Sequence, residues 1–564
     1  MKHLTLIALL SVCLFACSFG QANQDAYMRK VSMAMAAIEN MYVDTINKNK
    51  LAEDAIVSLL EKLDPHSNYM TPEEMKEMNE SLQGNFDGIG VQFNMLTDTL
   101  YIVQVVPGGP SEKVGIMAGD RIIMVNDTLI AGVGMKNTDI MSRLRGLKGT
   151  VVNVKIKRGN EPALIPFRIV RDKIPTYSLD AFYMIDNETG YIKLNRFAAT
   201  TYSEFITALQ TLQSQGLKNL ILDLQDNGGG YMEAATDISN EFLKWGNLIV
   251  YTEGAHQKRA ESRASYKGSF ETGKLVVMVN ESSASASEIV SGALQDWDRA
   301  VIVGRRTFGK GLVQRPIPFA DGSMMRLTVA RYYTPSGRSI QKPYEKGNSQ
   351  SYNMDLIMRY NKGEMISADS IHFPDSLKYS TLINHRTVYG GGGIMPDYFV
   401  PLDTNRITKL HRSLIASNSI NKYTLSLIDK NRKNYKSKYE NFNSFKDNFT
   451  VTAQMLNDLL ELYKKEKEKN SPRQTVTKTV KSEDDKVNME DPEELLPSDF
   501  AEINMDEFKK SEALIKLQIK ALVARDLWNI NEYFQIFNED NETLKKAVQI
   551  IEDSEMYYKL LGKN

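Results

Sequence analysis

Leu275-Val276-Val277-Met278-Val279 is an unbroken apolar run that leads into Asn280-Glu281-Ser282-Ser283-Ala284-Ser285-Ala286-Ser287-Glu288 and then into a helical pattern from Glu288 to Trp297. A short run with no polar alternation reads as a strand covered on both faces, the condition of a parallel sheet. Leu220 to Leu224, Leu248 to Tyr251 and Ala300 to Val303 have the same character, and helical patterns, Glu233 to Trp245 among them, separate some of the runs. Strands alternating with helices predict βαβ units in a mostly parallel sheet, an α/β fold. Sites in such sheets form beyond the carboxyl ends of the strands. Three loops then share one edge: Gln225-Asp226-Asn227-Gly228-Gly229-Gly230, the serine-rich Asn280 to Glu288, and Gly304-Arg305-Arg306-Thr307-Phe308-Gly309-Lys310-Gly311.

Two plain readings compete for these loops. Ser285-Ala286-Ser287-Glu288 is a Ser-x-x-Glu capping box, so Ser285 alone reads first as a helix cap. Gly304 to Lys310 fits the phosphate-binding G-x-x-x-x-G-K spacing, but Gly311 stands where Ser or Thr would hold magnesium, and Leu312-Val313-Gln314-Arg315-Pro316 reads as a strand, not a helix. A third reading uses all three loops. A serine hydroxyl needs a base to become a nucleophile, and a lysine serves as that base when burial keeps it neutral. Phe308, Leu312 and Val313 supply apolar surroundings for Lys310, while helix N-terminal amides and the open Gly228 to Gly230 backbone offer donors to an oxyanion.

Working outward, Gly84 to about Arg171 is a β-rich module with runs at Ile89 to Phe93, Thr99 to Val105, Arg121 to Val125 and Val151 to Ile156. Before it, Val31, Met35, Ile38 and Met41, then Leu51, Ala55, Leu59 and Leu63, keep helical spacing, and Thr71-Pro72-Glu73-Glu74 reads as a helix start. Asp321-Gly322 between two β-rich runs predicts a hairpin, and the α/β region closes near Gly390 to Asp397. Beyond residue 405 the chain is Lys-, Asn- and Glu-rich with helical periodicity. It is interrupted by a polar linker from Asn470 to Ser498, and Leu514, Leu517, Ile519, Leu522 and Leu527 mark a final helical piece.

Lys2, the apolar Leu4 to Ala16 and the small and polar residues around Ser18 to Ala22 read as a secretory signal peptide over 1–22. Leu14-Phe15-Ala16-Cys17 resembles a bacterial lipobox, which leaves a membrane tether through lipidated Cys17 open. The expected location is outside the cytoplasm, as a periplasmic protein or lipoprotein. Cys13 and Cys17 are the two cysteines of the 564 residues, so a disulfide scaffold, a cysteine nucleophile and Cys-based zinc sites in the body are excluded. The six histidines lack metal-ligand spacing, and a net charge of -1 argues against a general nucleic-acid binder.

Ser283 to Ile289, Gln295-Asp296, Arg299-Ala300 and Thr307-Phe308-Gly309-Lys310-Gly311 together resemble the C-terminal processing peptidases, the tail-specific serine proteases that carry a PDZ domain. Leu63-Asp64-Pro65-His66-Ser67, Phe86 to Val91, Ala118 to Ile122, Leu144 to Gly149, Asp223 to Gly230 and Thr334 to Arg338 extend the resemblance, in family order, over roughly residues 30 to 400. It implies a helical region over 23–83, a PDZ domain over 84–172, an α/β serine-protease core over 173–404 and a helical extension over 405–564. It also places the nucleophile on Ser285, the general base on Lys310 and the lysine-orienting glutamine on Gln314. Ala286 and one glycine of Gly229-Gly230 would form the oxyanion hole, and Asp296 would be structural. Gly88-Ile89-Gly90-Val91 would take a peptide carboxylate, with Ile89, Val91 and Phe93 facing its terminal side chain. The implied partners are polypeptides with free C-termini, with a homo-oligomer or adaptor protein left open, and no cofactor or metal is called for. Two residues depart from the family pattern: Gln225 stands where Arg is usual and Gly228 where Pro is common. The opposing readings are a PDZ adaptor or a ligand-binding protein built on a degenerate hydrolase core.

Overall fold

The computed structural model describes residues 26–96, 98–159, 161–470 and 503–563. The signal-peptide reading, Cys17 and nearly all of the Asn470 to Ser498 linker lie outside them. The chain divides into two compact units. The smaller gathers the N-terminal residues up to Pro72, Gln314–Thr328 and Tyr344–Tyr352; the larger holds Glu73–Val313, Val329–Pro343 and Asn353–Asn564.

In the smaller unit, residues 26–41 and Lys48–Glu61 are helical. The strand Asn68–Met70 pairs antiparallel with Met324 to Arg326. Asp64 ties this unit together. Its carboxylate accepts from the N–H groups of His66 and Ser67 and from the hydroxyls of Ser67 and Thr328, at 2.6 to 3.0 Å. The helix at 26–41 departs from the usual amphipathic pattern, because its periodic apolar residues are not a core face: Val31 is 54% and Met41 82% exposed.

The larger unit is built on a sheet in the order Leu179–Met184, Thr189–Leu194, Asn219–Asp223, Leu275–Val279, Val301–Gly304 and Tyr398–Phe399. The first pair is antiparallel and every later pair parallel. Alternate side chains of one strand serve two cores. Leu275, Val277 and Val279 point to the face covered by the helices Thr201–Ser214, Met232–Asn240 and Ala286–Asp296, whereas Val276 and Met278 point to the other. That second face is covered by the end of the chain. Leu544, Ala547, Ile550 and Ile551 from the helix Glu542–Glu552, Tyr557 from the helix Ser554–Leu560, and Leu561 just after it pack on Ile221, Val276, Met278, Val301 and Val303. The helical extension is thus part of the sheet's packing, and three α-helices, Ile530–Phe537, Glu542–Glu552 and Ser554–Leu560, follow the one that was expected to be last.

One expectation needs correction. Leu248 to Tyr251 does not join the parallel sheet. The strand Leu248–Gly254 pairs antiparallel with Gln257–Arg263 and with Arg331 to Tyr333. Its partner Gln-Lys-Arg-Ala-Glu-Ser-Arg is mostly exposed and carries no apolar alternation, so the hairpin left no hydropathic trace.

In the β-rich module, the strands Val91–Met95, Leu100–Val105, Arg121–Val125, Val151–Lys157 and Ile165–Val170 form an antiparallel sheet, closed below by Asn85–Gly88 paired with Asp172–Pro175. The closing pair carries the module's backbone pairing on to Pro175, past the Arg171 limit read from the sequence. A face of this module rests on the extension. Tyr101 and Val103 bury Leu425, Gln104 Nε2 donates to Trp528 O at 3.2 Å, and Arg121 pairs with Asp429.

Candidate active site

The loops following the three central parallel strands do converge, laced together through asparagines and serines. Asn227 is fully buried; its Nδ2 donates to Leu194 O, and its carbonyl accepts from Ala284 N–H at 3.0 Å and from the Ser287 hydroxyl at 2.8 Å. Asn280 bonds Asp226 through both ends of its amide, and Phe308 N–H reaches Ser283 O at 3.0 Å. The glycine loop, the serine loop and the lysine loop therefore form one edge.

Of the serine triplet, the outer two are spent. Ser283 and Ser287 are fully buried, with hydroxyls donating to Leu224 O at 2.7 Å and to Asn227 O at 2.8 Å. Ser285 is partly exposed and sits at φ 56°, ψ −111°, a left-handed conformation that a residue with a side chain adopts at a cost. An ordinary N-cap has extended backbone, so the cap reading does not account for this geometry. A sharp strand-to-helix turn of this kind lifts a hydroxyl out of the sheet edge.

Glu288 holds the turn. It is 0% exposed, and its Oε2 accepts from the N–H groups of both Ser285 and Lys310 at 2.8 Å. Oε1 accepts from Gly309 N–H at 2.7 Å and the Thr307 hydroxyl at 2.6 Å. Burial pushes this carboxyl's pKa upward and the four donors pull against it. The backbones of Ser285 and Lys310 thus meet at one oxygen atom. Lys310 itself is partly buried, and the strand Leu312–Pro318 follows it, so no helix N-terminus is present there to bind a phosphate.

Gly229 stands against the Ser285 turn and Gly230 against Phe197. A Cβ on Gly229, at φ +99°, would lie 2.8 Å from Ser285 Cβ, and one on Gly230, at φ +147°, would lie 2.1 Å from Phe197 O. The Gly229 N–H donates to Asn227 Oδ1 at 2.9 Å. Gly229→Ala should therefore displace Ser285 and lower kcat by about 100-fold or more, the scale expected when a reacting group is moved by roughly 1 Å; steady-state kinetics beside a thermal melt check it. Gln314 falls in the smaller unit, where its Nε2 lies 3.4 Å from Thr328 Oγ1. Asp296 is buried in an ion pair with Arg338 at 2.8 Å and accepts from Ser336 N–H, a structural placement.

In the β-rich module, a groove of about 330 Å³ runs between Gly88-Ile89-Gly90-Val91 with Phe93 on one side and the helix Asn137–Leu144 on the other. The Ile89 carbonyl accepts from Ser111 N–H and Oγ. In a trans peptide the N–H opposes the C=O, so the Gly90 N–H points away from Ser111. Arg145 also lines the groove, stacked 4.8 Å over Phe86 and bonded to Glu80. Sequence reasoning did not place it there; its position directly after the helix was the available signal.

The description of peptidase family S41 matches residues 188–347, that of the PDZ domain 88–166 and that of the activating protease CtpB N-terminal domain 17–74. The carboxy-terminal-processing protease of Bartonella bacilliformis is 37% identical over 309 residues, 54% of this chain and 70% of its own length. The chain belongs to the carboxy-terminal processing proteases. CtpA of Bacillus subtilis is 35% identical over 322 residues, 56% of this chain and 67% of its own. A probable CtpA-like serine protease of Staphylococcus epidermidis is 34% identical over a segment covering 64% of that protein, less than two thirds of it. The solved photosystem II D1 C-terminal processing protease aligns at 29% identity and TM-score 0.33, covering 55% of this chain and 89% of its own. Residues 410–483 match a family of unknown function. As a carboxy-terminal processing protease the chain is a serine-type peptidase with a PDZ domain, in an α/β architecture flanked by helical regions.

Proposed function

We propose that this protease cleaves polypeptides with a Ser285–Lys310 dyad. The observation that carries the reading is the pairing of Ser285, a partly exposed serine on a strained turn, with Lys310 through a single Glu288 oxygen. Neutral Lys310 takes the proton from Ser285 Oγ as the oxygen attacks the scissile carbonyl carbon. The N–H groups of Ala286 and Gly230 stabilise the oxyanion, and protonated Lys310 then passes its proton to the leaving amine. Water repeats the sequence on the acyl-enzyme and frees Ser285. The dyad mechanism uses no metal, and chelators are expected to leave the rate unchanged.

The reading is tested by hydrolysis of unstructured casein with wild type and Ser285→Ala. Loss of cleavage in the variant supports it, and retained turnover removes it. A PDZ adaptor or ligand carrier with a degenerate core has no use for this pair, and wild type would then leave casein intact.

We further propose that the groove beside Gly88 to Val91 receives the substrate's C-terminus, the peptide adding as a strand along Val91–Met95. Full-length Ser285→Ala protein should bind a peptide ending in a free apolar residue at least about tenfold more tightly than its C-terminal amide. A terminal Asp should weaken binding, because a second charge would enter an apolar pocket. Equal affinity for acid and amide, measured by fluorescence anisotropy, would end the claim of terminal recognition and leave the dyad standing. Export is proposed from Lys2 and the Leu4 to Ala16 run, and N-terminal sequencing of the mature protein tests it.

A further inference from the structure

Tyr332 lies at the end of the strand Met324–Tyr333 and is 2% exposed, its ring in the core beneath the parallel sheet's helices. Its backbone N–H donates to Gly311 O at 3.0 Å, which fixes the residue beside the Lys310–Gly311 peptide. The phenol oxygen lies 2.6 Å from Lys310 O and 3.0 Å from Ser285 O. A phenol has one proton, so the two carbonyl oxygens share it, the nearer taking the larger part. Two carbonyl oxygens facing each other without that proton would repel and move apart.

The same two residues are therefore gripped twice. Glu288 Oε2 takes both of their N–H groups, and the Tyr332 hydroxyl takes both of their carbonyls. Resting on the dyad reading above, we infer that Tyr332 is a positioning residue whose hydroxyl sets the spacing of the Ser285 and Lys310 backbones, and through it the alignment of Oγ with Nζ. Its contribution is geometric, and a shift of roughly 1 Å at a reacting group is worth about 10²-fold in rate.

Tyr332→Phe deletes one oxygen and leaves the ring in the core. On a fluorogenic peptide with a free apolar C-terminus, kcat should fall about 10- to 100-fold with KM within about twofold of wild type. A residue that acts through the dyad loses its effect once the dyad is broken. Lys310→Ala combined with Tyr332→Phe should therefore react with a fluorophosphonate no more slowly than Lys310→Ala alone. A purely structural residue would instead add its full loss to the double variant, and that result overturns the proposal. So does wild-type kcat in Tyr332→Phe. The second variant carries 4-aminophenylalanine at 332, which keeps both the ring and a donor. Recovered kcat supports the assignment, and kcat as low as that of a folded Phe variant, or of Lys310→Ala, overturns it. Turnover retained by Ser285→Ala would mark a failure of the dyad reading, a separate outcome from any of these.

Discussion

Ser285→Ala and Lys310→Ala should each lower peptide hydrolysis by at least about 10⁴-fold while leaving the thermal melt close to wild type, and the double variant should be little worse than either. Groups that act as one catalytic unit are strongly non-additive, since breaking either member breaks the proton transfer. The melt is spared because both side chains are partly exposed and the backbone contacts to Glu288 and Tyr332 do not depend on them. Lys310→Arg should be as inactive as Lys310→Ala: guanidinium stays protonated and cannot accept the serine proton. Activity in the Arg variant would show that charge, and not base chemistry, is what position 310 supplies.

The second large effect lies far from the site. Ending the chain after Asn541 removes Glu542–Glu552 and Ser554–Leu560 and strips the cover from Ile221, Val276, Met278, Val301 and Val303. The truncated protein should be insoluble or lose its cooperative melt, because a sheet face so exposed forfeits more than the 5–15 kcal/mol by which domains are typically stable. Ile550→Ala is the graded version. Ile550 is fully buried on that face, and its truncation should cost about 2–5 kcal/mol in chemical denaturation. Lys274 Nζ to Ser554 Oγ at 2.8 Å and Leu275 N–H to Tyr557 OH at 2.9 Å add polar ties on the same edge. A soluble, active truncation with a wild-type melt would mean that the extension merely decorates the core.

The sheet's parallel centre and the convergence of its three loops were legible because strands buried on both faces leave continuous apolar runs and because glycine, serine and lysine follow them directly. Although the family resemblance pointed to Ser285, spacing alone does not tell which serine of the triplet keeps an unspent hydroxyl. That depends on Leu224 O and Asn227 O, which are brought near only by folding. Leu248–Gly254 misled for a related reason: an apolar run records burial, not the direction of its neighbour, and its polar partner Gln257–Arg263 carries no signal. Leu544, Ala547, Ile550 and Ile551 announce a helix through spacing, yet nothing local says that a sheet face more than 200 residues upstream receives them. Val31 and Met41 show the converse, a periodic apolar stripe whose residues stand exposed. Glu288 was readable as half of a capping box, and its Ser285 N–H bond is that half. Its bonds to Thr307, Gly309 and Lys310 are long-range and were not readable.

Labelling with a fluorophosphonate, followed by peptide mapping in a mass spectrometer, tests the central claim most directly. The full-length protein should carry one adduct, on Ser285, with Ser283 and Ser287 unmodified because their hydroxyls are buried and already donating. Lys310→Ala should slow the labelling by at least about 10³-fold, the loss expected when the base is removed. An adduct on another residue, or labelling that persists in Ser285→Ala, would contradict the assignment of Ser285 as the nucleophile.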